Sequence, residues 1–345
     1  MNGKSNKQPI ASFEEVLAII KEFPTPDLDS AREAMARNSQ LTKPLGALGR
    51  LETLVEWLSM WQATYPPKLN HPRTSVFAGN HGIAKYGVSA YPSSVTAQMV
   101  ENFIAGGAAV NQLCHTFDAD LRVYELGLED PTADFTKEPA MSEEECARAM
   151  AYGMMSVEPG LDIICLGEMG IGNTTSASAI ARGLFGGAAK DWVGLGTGIS
   201  TEGLRKKIEI VEKGYTRHKD KKKDPLSLFA ALGGLELAAI IGAVIAARLA
   251  RVPVILDGFA CTMAAAVLFA IEPKAIDHCL VAHCSVEPGH KKLLALIGKT
   301  PLFDLEMRLG EGSGATLSLG ILKAALDCHL GMATFDSAGI SGPEI

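Results

Sequence analysis

Leu161-Asp162-Ile163-Ile164-Cys165-Leu166-Gly167-Glu168-Met169-Gly170-Ile171-Gly172-Asn173-Thr174-Thr175-Ser176 is the stretch on which the fold turns. A short apolar run enters a glycine loop, and the loop opens into a small-residue helix from Ala177 to Leu184. The run has the length of a strand buried on both faces and is too short for a core helix. Glycines permit the tight return and let backbone N–H groups approach a ligand, and a helix start favours anions. Two readings of the loop stand side by side. It is a phosphate or ribose cradle completed by Thr and Ser hydroxyls, or a tight turn with Asn173 or Thr174 as helix cap. No lysine follows the glycines as in a P-loop, and the spacing is not that of the dinucleotide fingerprint.

The same grammar recurs along the chain. Ser75-Val76-Phe77-Ala78 precedes Gly79-Asn80-His81-Gly82, Leu121 to Leu126 precedes Gly127, and Val252 to Leu256 precedes Asp257-Gly258. Cys279 to Ala282 leads through His283-Cys284-Ser285 to Gly289. Repeated strand, loop and helix imply an α/β fold, a parallel sheet with helices on both faces in the Rossmann manner. Ligands in such folds bind beyond the carboxyl ends of the strands, where this chain places its glycines. Before Thr74 the pattern is helical: Phe13 to Phe23, a helix capped by Asp29-Ser30 and running through Asn38, and Leu48 to Trp61. Tyr65 to Arg73 carries three prolines and reads as a linker.

Bulk properties narrow the class. The 345 residues suggest about two domains, and 47% hydrophobic content with 35 glycines suits a soluble α/β protein. The net charge is −7, and no basic stripe with interleaved aromatics invites nucleic acid. Met1 to Ala11 is polar and lacks the apolar core of a signal peptide. Leu237 to Ala247 and Gly258 to Ile271 are apolar but fall short of the roughly 20 residues of a membrane span, so both are expected as buried helices. Seven scattered cysteines without a C-x-x-C pattern point to reduced thiols in the cytoplasm.

Candidate chemistry concentrates in a few loops. Arg308-Leu309-Gly310-Glu311-Gly312-Ser313-Gly314-Ala315 sets one carboxylate among three glycines ahead of an apolar helical run. Glu311 is either a cap that complements the helix dipole or a general base held over a small-molecule site. Gly194-Leu195-Gly196-Thr197-Gly198-Ile199 is a second glycine loop, and it leads to a helix bearing Lys206 and Lys207. Such a lysine meets a phosphate or simply lies exposed. Asn80-His81-Gly82 at a strand end is a ligand contact or a turn. Gly87-Val88-Ser89-Ala90-Tyr91-Pro92 enters a helix that Ser93 or Ser94 caps, with Gln98 one turn inside. His278, Cys279, His283 and Cys284 diverge across the two faces of a strand and make a poor metal site. Lys219 to Asp224 reads as a solvated loop, and no nucleophile elbow or Ser-His-Asp order is present.

Lys43-Pro44-Leu45-Gly46-Ala47-Leu48-Gly49-Arg50-Leu51-Glu52, the Gly79 to Gly82 loop, Gly87 to Pro92, Gly167 to Thr175, Gly196-Thr197-Gly198 and Leu309-Gly310-Glu311-Gly312 occur in this order. With Met332-Ala333-Thr334-Phe335 and Ala338-Gly339-Ile340-Ser341, the set closely resembles the nicotinate-nucleotide–dimethylbenzimidazole phosphoribosyltransferase family from about residue 40 to the end. The resemblance implies an enzyme that moves 5-phosphoribose from nicotinate mononucleotide to 5,6-dimethylbenzimidazole or a similar base. The products would be nicotinate and α-ribazole 5′-phosphate, made with inversion for the lower ligand of cobalamin. It implies a cytoplasmic homodimer with small-molecule substrates, no cofactor and no metal. It also implies a small helical domain from terminal segments, here 1–70 with part of 327–345, beside an α/β domain over 71–326.

Carried onto this chain, the resemblance makes Glu311 the base that takes the proton from the incoming ring and Glu168 a second carboxylate at the reacting centre. Leu309, Ser89, Gln98, Asn80 and His81 are then expected around the base. Gly170, Gly172, Asn173, Thr174, Thr175, Gly196, Thr197, Gly198, Lys207 and Ser285 are expected around the nucleotide. The family pattern is Asp-His-Gly where this chain has Asn80-His81-Gly82, so no carboxylate stands at that position. Two rivals remain at this stage: a nucleotide- or vitamin-binding protein without turnover, and a transferase or nucleosidase with another acceptor.

Overall fold

The computed structural model describes residues 12–342, so the polar Met1 to Ala11 stretch lies outside the described residues. Five strands form one parallel sheet: β1 (Pro72–Gly79), β2 (Asp120–Leu126), β3 (Ile163–Met169), β4 (Val254–Leu256) and β5 (Cys279–Val281). Each apolar run read as a strand is one. Their order in the sheet is β2-β1-β3-β4-β5. β1 is buried along its whole length, whereas the edge strand β2 exposes Asp120, Arg122 and Glu125.

Side-chain alternation on β3 builds two cores. Ile164 and Leu166 face the larger core with Phe77, Val254 and Leu256, under the helices Glu143–Met154, Asn173–Phe185, Leu235–Ala250 and Phe259–Ile271. Ile163 and Cys165 face the opposite side with Ile255, against Leu54 and Leu58 of the Arg50–Gln62 helix and Leu319 and Leu322 of the Ser313–Gly331 helix. Helices therefore cover both faces. The Leu235–Ala250 and Phe259–Ile271 helices are buried almost all round, as their uniform apolarity required. Among the described residues no helix is long and apolar enough to cross a membrane.

The helix Leu235–Ala250 lies unusually close to Glu143–Met154. A Cβ on Gly153 would stand 1.8 Å from the carbonyl oxygen of Ala239, and one on Gly242 1.8 Å from that of Met150. Two glycines thus let the backbones touch. In the N-terminal region, Ser12 and Glu15 form a capping box on Phe13–Lys21, which packs on the larger core. The next helix, Leu28–Asn38, starts earlier than expected: Asp27 caps it rather than Asp29-Ser30, because its Oδ1 accepts the Asp29 N–H at 3.3 Å. Leu28–Asn38 packs on Arg50–Gln62, which packs on the C-terminal Ser313–Gly331 helix. Lys219–Lys223 forms a single mostly exposed turn between helices.

Candidate active site

β2 and β3 flank β1 on opposite sides, so the direction of winding reverses between β1 and β3. A crevice forms at such a reversal, beyond the carboxyl ends of the strands. Here it is a cleft of 460 Å³, walled by the Glu168–Thr174 loop, Gly196-Thr197, Gly258 to Ala260, Ser285, Glu287 and Arg308 to Gly310. Val88, Ser89 and Tyr91 close another side.

One set of groups at the site is acidic. Glu168, the last residue but one of β3, stands on the cleft wall, and Asn173 donates its Nδ2–H to Glu168 Oε2. Glu311 follows immediately in space: its N–H donates to the Glu168 carbonyl at 3.1 Å. Its backbone sits in the left-handed region at φ 63°, unusual for a residue with a side chain. Asp257, at the end of β4, holds that bend. Its carboxylate accepts the N–H of Gly312 at 3.1 Å and of Ala315 at 3.0 Å, so a strand-end aspartate caps the Ser313–Gly331 helix from across the sheet. Burial pushes Glu168 up to about 8, reinforced by the negative charges of Asp257 and Glu236. Burial likewise raises Asp257 to about 7, against the pull of the backbone N–H groups, and raises Glu311 to about 7. Glu311 is 6% exposed, lies just behind Gly310 in the wall, and its carboxylate has no hydrogen-bond partner among the described residues. Carboxyls near neutrality can both hold and take up a proton at physiological pH.

A second set of groups at the site suits an anion. Gly172, at φ 102°, starts the Asn173–Phe185 helix and no side chain caps it, so neither Asn173 nor Thr174 plays the capping role considered for it. Lys207 is fully buried behind Thr174 and Gly196, and its Nζ donates to Thr174 Oγ1 at 2.8 Å and to the Gly194 carbonyl at 3.2 Å. Burial lowers Lys207 to about 8, with the charge of Glu287 opposing. Glu287 Oε1 accepts the Gly196 N–H at 2.8 Å and fixes the second glycine loop. Thr197 ties that loop to the 87–91 segment, with its Oγ1 2.9 Å from Ser89 Oγ and accepting the Ala90 N–H at 2.9 Å.

The expected site residues therefore divide. Glu168, Ser89, Leu309, Gly170, Gly172, Asn173, Thr174, Gly196, Thr197 and Ser285 line the cleft. Glu311 and Lys207 stand directly behind its wall. Thr175 is buried in the helix, Gly198 lies outside the lining, and Gln98 is exposed on Ser94–Ile104, whose cap position Ser93 makes no side-chain bond. Asn80 turns away, donating its Nδ2–H to the Leu128 carbonyl at 2.8 Å. His81 lies beneath the loop rather than in the cleft, between Glu236 and Ser176. Sequence reading missed Asp257, Glu236 and Glu287. Asp257 had the one usable signal, a carboxylate directly after a strand-like run.

An open parallel sheet with an anion-binding helix start and titrating carboxylates across one cleft is the site of an enzyme acting on phosphorylated small molecules. A family model described as "Phosphoribosyltransferase" matches residues 23–340. Proteins named nicotinate-nucleotide–dimethylbenzimidazole phosphoribosyltransferase from Brucella anthropi and Rhizobium meliloti are each 53% identical over 332 residues, 96% of this chain and 98% of theirs. The crystal structure of CobT from Thermus thermophilus matches with TM-score 0.86 at 38% identity, over 91% of this chain and all of that one. The chain belongs to the nicotinate-nucleotide–dimethylbenzimidazole phosphoribosyltransferase family.

Proposed function

We propose that this chain transfers the 5-phosphoribosyl group of nicotinate mononucleotide to 5,6-dimethylbenzimidazole or a similar base, giving nicotinate and α-ribazole 5′-phosphate for the lower ligand of cobalamin. The observation that carries the reading is the pairing, around one cleft, of a helix start and a buried lysine with titrating carboxyls. The helix start and Lys207 suit a phosphate, and the carboxyls near neutrality suit a positive charge that moves during reaction.

In this reading the ring nitrogen of the base attacks the anomeric carbon from the face opposite the leaving group. The bond to the pyridinium nitrogen breaks, and its electron pair returns to the ring, which leaves as nicotinate. The incoming ring becomes positive and passes its N–H proton to Glu311, whose raised value of about 7 matches a base working near neutral pH. Glu168, which keeps its proton up to about 8, faces the reacting centre as a second carboxyl beside Glu311. The nucleotide lies on Gly170 to Thr174 and Gly196-Thr197, with Lys207 behind, and the base lies toward Ser89 and Leu309.

The proposal extends to a homodimer in the cytoplasm, with the 1–70 and 327–345 segments as a helical unit beside the sheet domain. Exposed apolar side chains on or beside the cleft wall (Tyr91, Leu195, Val286, Leu309) support a mouth covered by a second copy, and seven unpaired thiols support a reducing compartment. The test mixes the protein with nicotinate mononucleotide and 5,6-dimethylbenzimidazole. Stoichiometric nicotinate and ribazole phosphate are expected. Nicotinate released without the base would identify a nucleosidase, and binding without turnover would identify a binding protein.

A further inference from the structure

Beneath the glycine loop, three side chains that the proposed chemistry does not use form a buried chain. His81 Nε2 stands 2.7 Å from Glu236 Oε1, and His81 Nδ1 stands 3.0 Å from Ser176 Oγ. The side chains of His81 and Glu236 are wholly shielded from solvent, and Ser176 is fully buried. With the imidazole neutral and its Nε2 hydrogen given to the Glu236 oxygen, Nδ1 accepts from the Ser176 hydroxyl. The order resembles a nucleophilic triad, but Ser176 has no exposed surface and its hydroxyl is turned to His81, so no substrate reaches the serine.

His81 lies close under the loop. A Cβ on Gly170 would stand 3.4 Å from His81 Nε2, and one on Gly172 would stand 3.4 Å from His81 Cβ. Ser176 lies on the first turn of the helix that the loop opens. His81 thus bonds Ser176 and leaves no room to spare for a side chain at Gly170 and Gly172. Around the other partner, a Cβ on Gly234 would stand 2.3 Å from His81 Cε1, and one on Gly79 would stand 2.9 Å from Glu236 Oε2. Glycine thus stands at four backbone positions around the pair. Glu236 Oε2 has no hydrogen-bond partner among the described residues, so the carboxylate is kept in the interior against a desolvation penalty.

We infer that Glu236 and Ser176 are positioning residues: Glu236 fixes the orientation and tautomer of His81, and His81, through Ser176 and its closeness to Gly170 and Gly172, sets the height of the loop that holds the nucleotide phosphate. This rests on the reading of that loop as the nucleotide cradle.

The test measures kcat and both KM values, with the dissociation constant for nicotinate mononucleotide, in Ser176→Ala, Glu236→Gln and Glu236→Leu. Ser176→Ala removes one buried hydroxyl and one hydrogen bond. It should raise the nucleotide KM and dissociation constant about five- to tenfold while the KM for the base stays within about twofold. Glu236→Gln still presents an oxygen to Nε2–H and should keep the nucleotide KM within about threefold, whereas Glu236→Leu should raise it at least as far as Ser176→Ala. An unchanged nucleotide KM in Ser176→Ala, or equal rises for both substrates, overturns the inference. Should Glu236→Leu fail to fold, Ser176→Ala and Glu236→Gln decide it. If the wild-type protein neither binds nor turns over nicotinate mononucleotide, the functional reading falls. The comparison of wild type with Ser176→Ala is then made with inorganic phosphate, and equal affinities overturn the positioning role.

Discussion

Glu168→Gln is expected to make the protein more stable at pH 8 and to flatten the loss of stability between pH 6.5 and 8. In the folded chain Glu168 keeps its proton up to about 8, against an ordinary value of 4.5. Between these values the folded state holds a proton that the unfolded state has released, so stability falls as pH rises. Asp257 and Glu311, each raised to about 7, act in the same direction. Three buried histidines oppose them. His278, His283 and His290 are lowered to about 3, 4 and 3, so the unfolded state binds their protons up to about 6.5 and stability rises with pH until then. The two trios offset each other from about pH 4.5 to 6.5, and His218 and His329, also lowered by burial, tilt that range gently upward.

Above 6.5 the histidine contribution is complete and the carboxyls act alone. One pH unit is worth about 1.4 kcal/mol per group, so Glu168 accounts for about 2 kcal/mol between pH 6.5 and 8, and Asp257 and Glu311 for under about 1 kcal/mol each. Lys207, lowered to about 8, turns the trend upward only beyond that. Scanning calorimetry from pH 5 to 9 at constant ionic strength should show a gentle rise, then a fall in Tm of several degrees. The fall should be roughly halved in Glu168→Gln. Parallel curves for variant and wild type above pH 6.5 would show that Glu168 is not held protonated and would refute the reasoning.

Glu311→Gln should lower turnover by roughly two to four orders of magnitude while leaving the fold intact and Tm no lower than wild type, and it should abolish the rise of kcat with pH centred near 7; unchanged turnover would remove Glu311 as the base. Lys207→Met should raise the nucleotide KM roughly 10- to 100-fold through loss of a buried cation beside Thr174, with little change in Tm because burial already disfavours the charge; a KM within twofold of wild type would count against the phosphate assignment. Gly242→Ala should cost about 1–3 kcal/mol or more and lower Tm by several degrees, since its Cβ would meet the Met150 carbonyl at 1.8 Å; an unchanged Tm would mean that the two helices can part freely.

The strands, the glycine loops and the long apolar helices were legible because their signals are local. Ile163 to Leu166 is apolar on both sides because both of its faces are covered, and Gly172 and Gly312 stand where the backbone turns left-handed into a helix. Glu311 was legible through its glycine setting, whereas the residues alone left Lys206 and Lys207 undivided and only the family resemblance pointed to Lys207. Asn80 and His81 were legible as strand-end residues, but their direction was not. One turns to the Leu128 carbonyl and the other under the loop. Asp27 displaced Asp29-Ser30 as a cap because the first turn closes on whichever acceptor reaches it, a matter of one side-chain geometry.

By itself, then, the chain's sequence determined the α/β class, the parallel strands and the loops that meet ligands, since hydrophobic period and turn chemistry act over a few residues. The protonation of the site was decided only by the tertiary structure. Glu168, Asp257 and Glu311 come from three separate segments, and their raised values arise from burial first, with neighbouring negative charge added at Glu168 and Asp257 once the sheet brings those segments together. Glu236, which supplies part of the charge felt by Glu168 and holds His81, looked in the sequence like a lone acid at the start of an apolar helix. Burial and pairing are properties of the assembled core, and no stretch of sequence carries them alone.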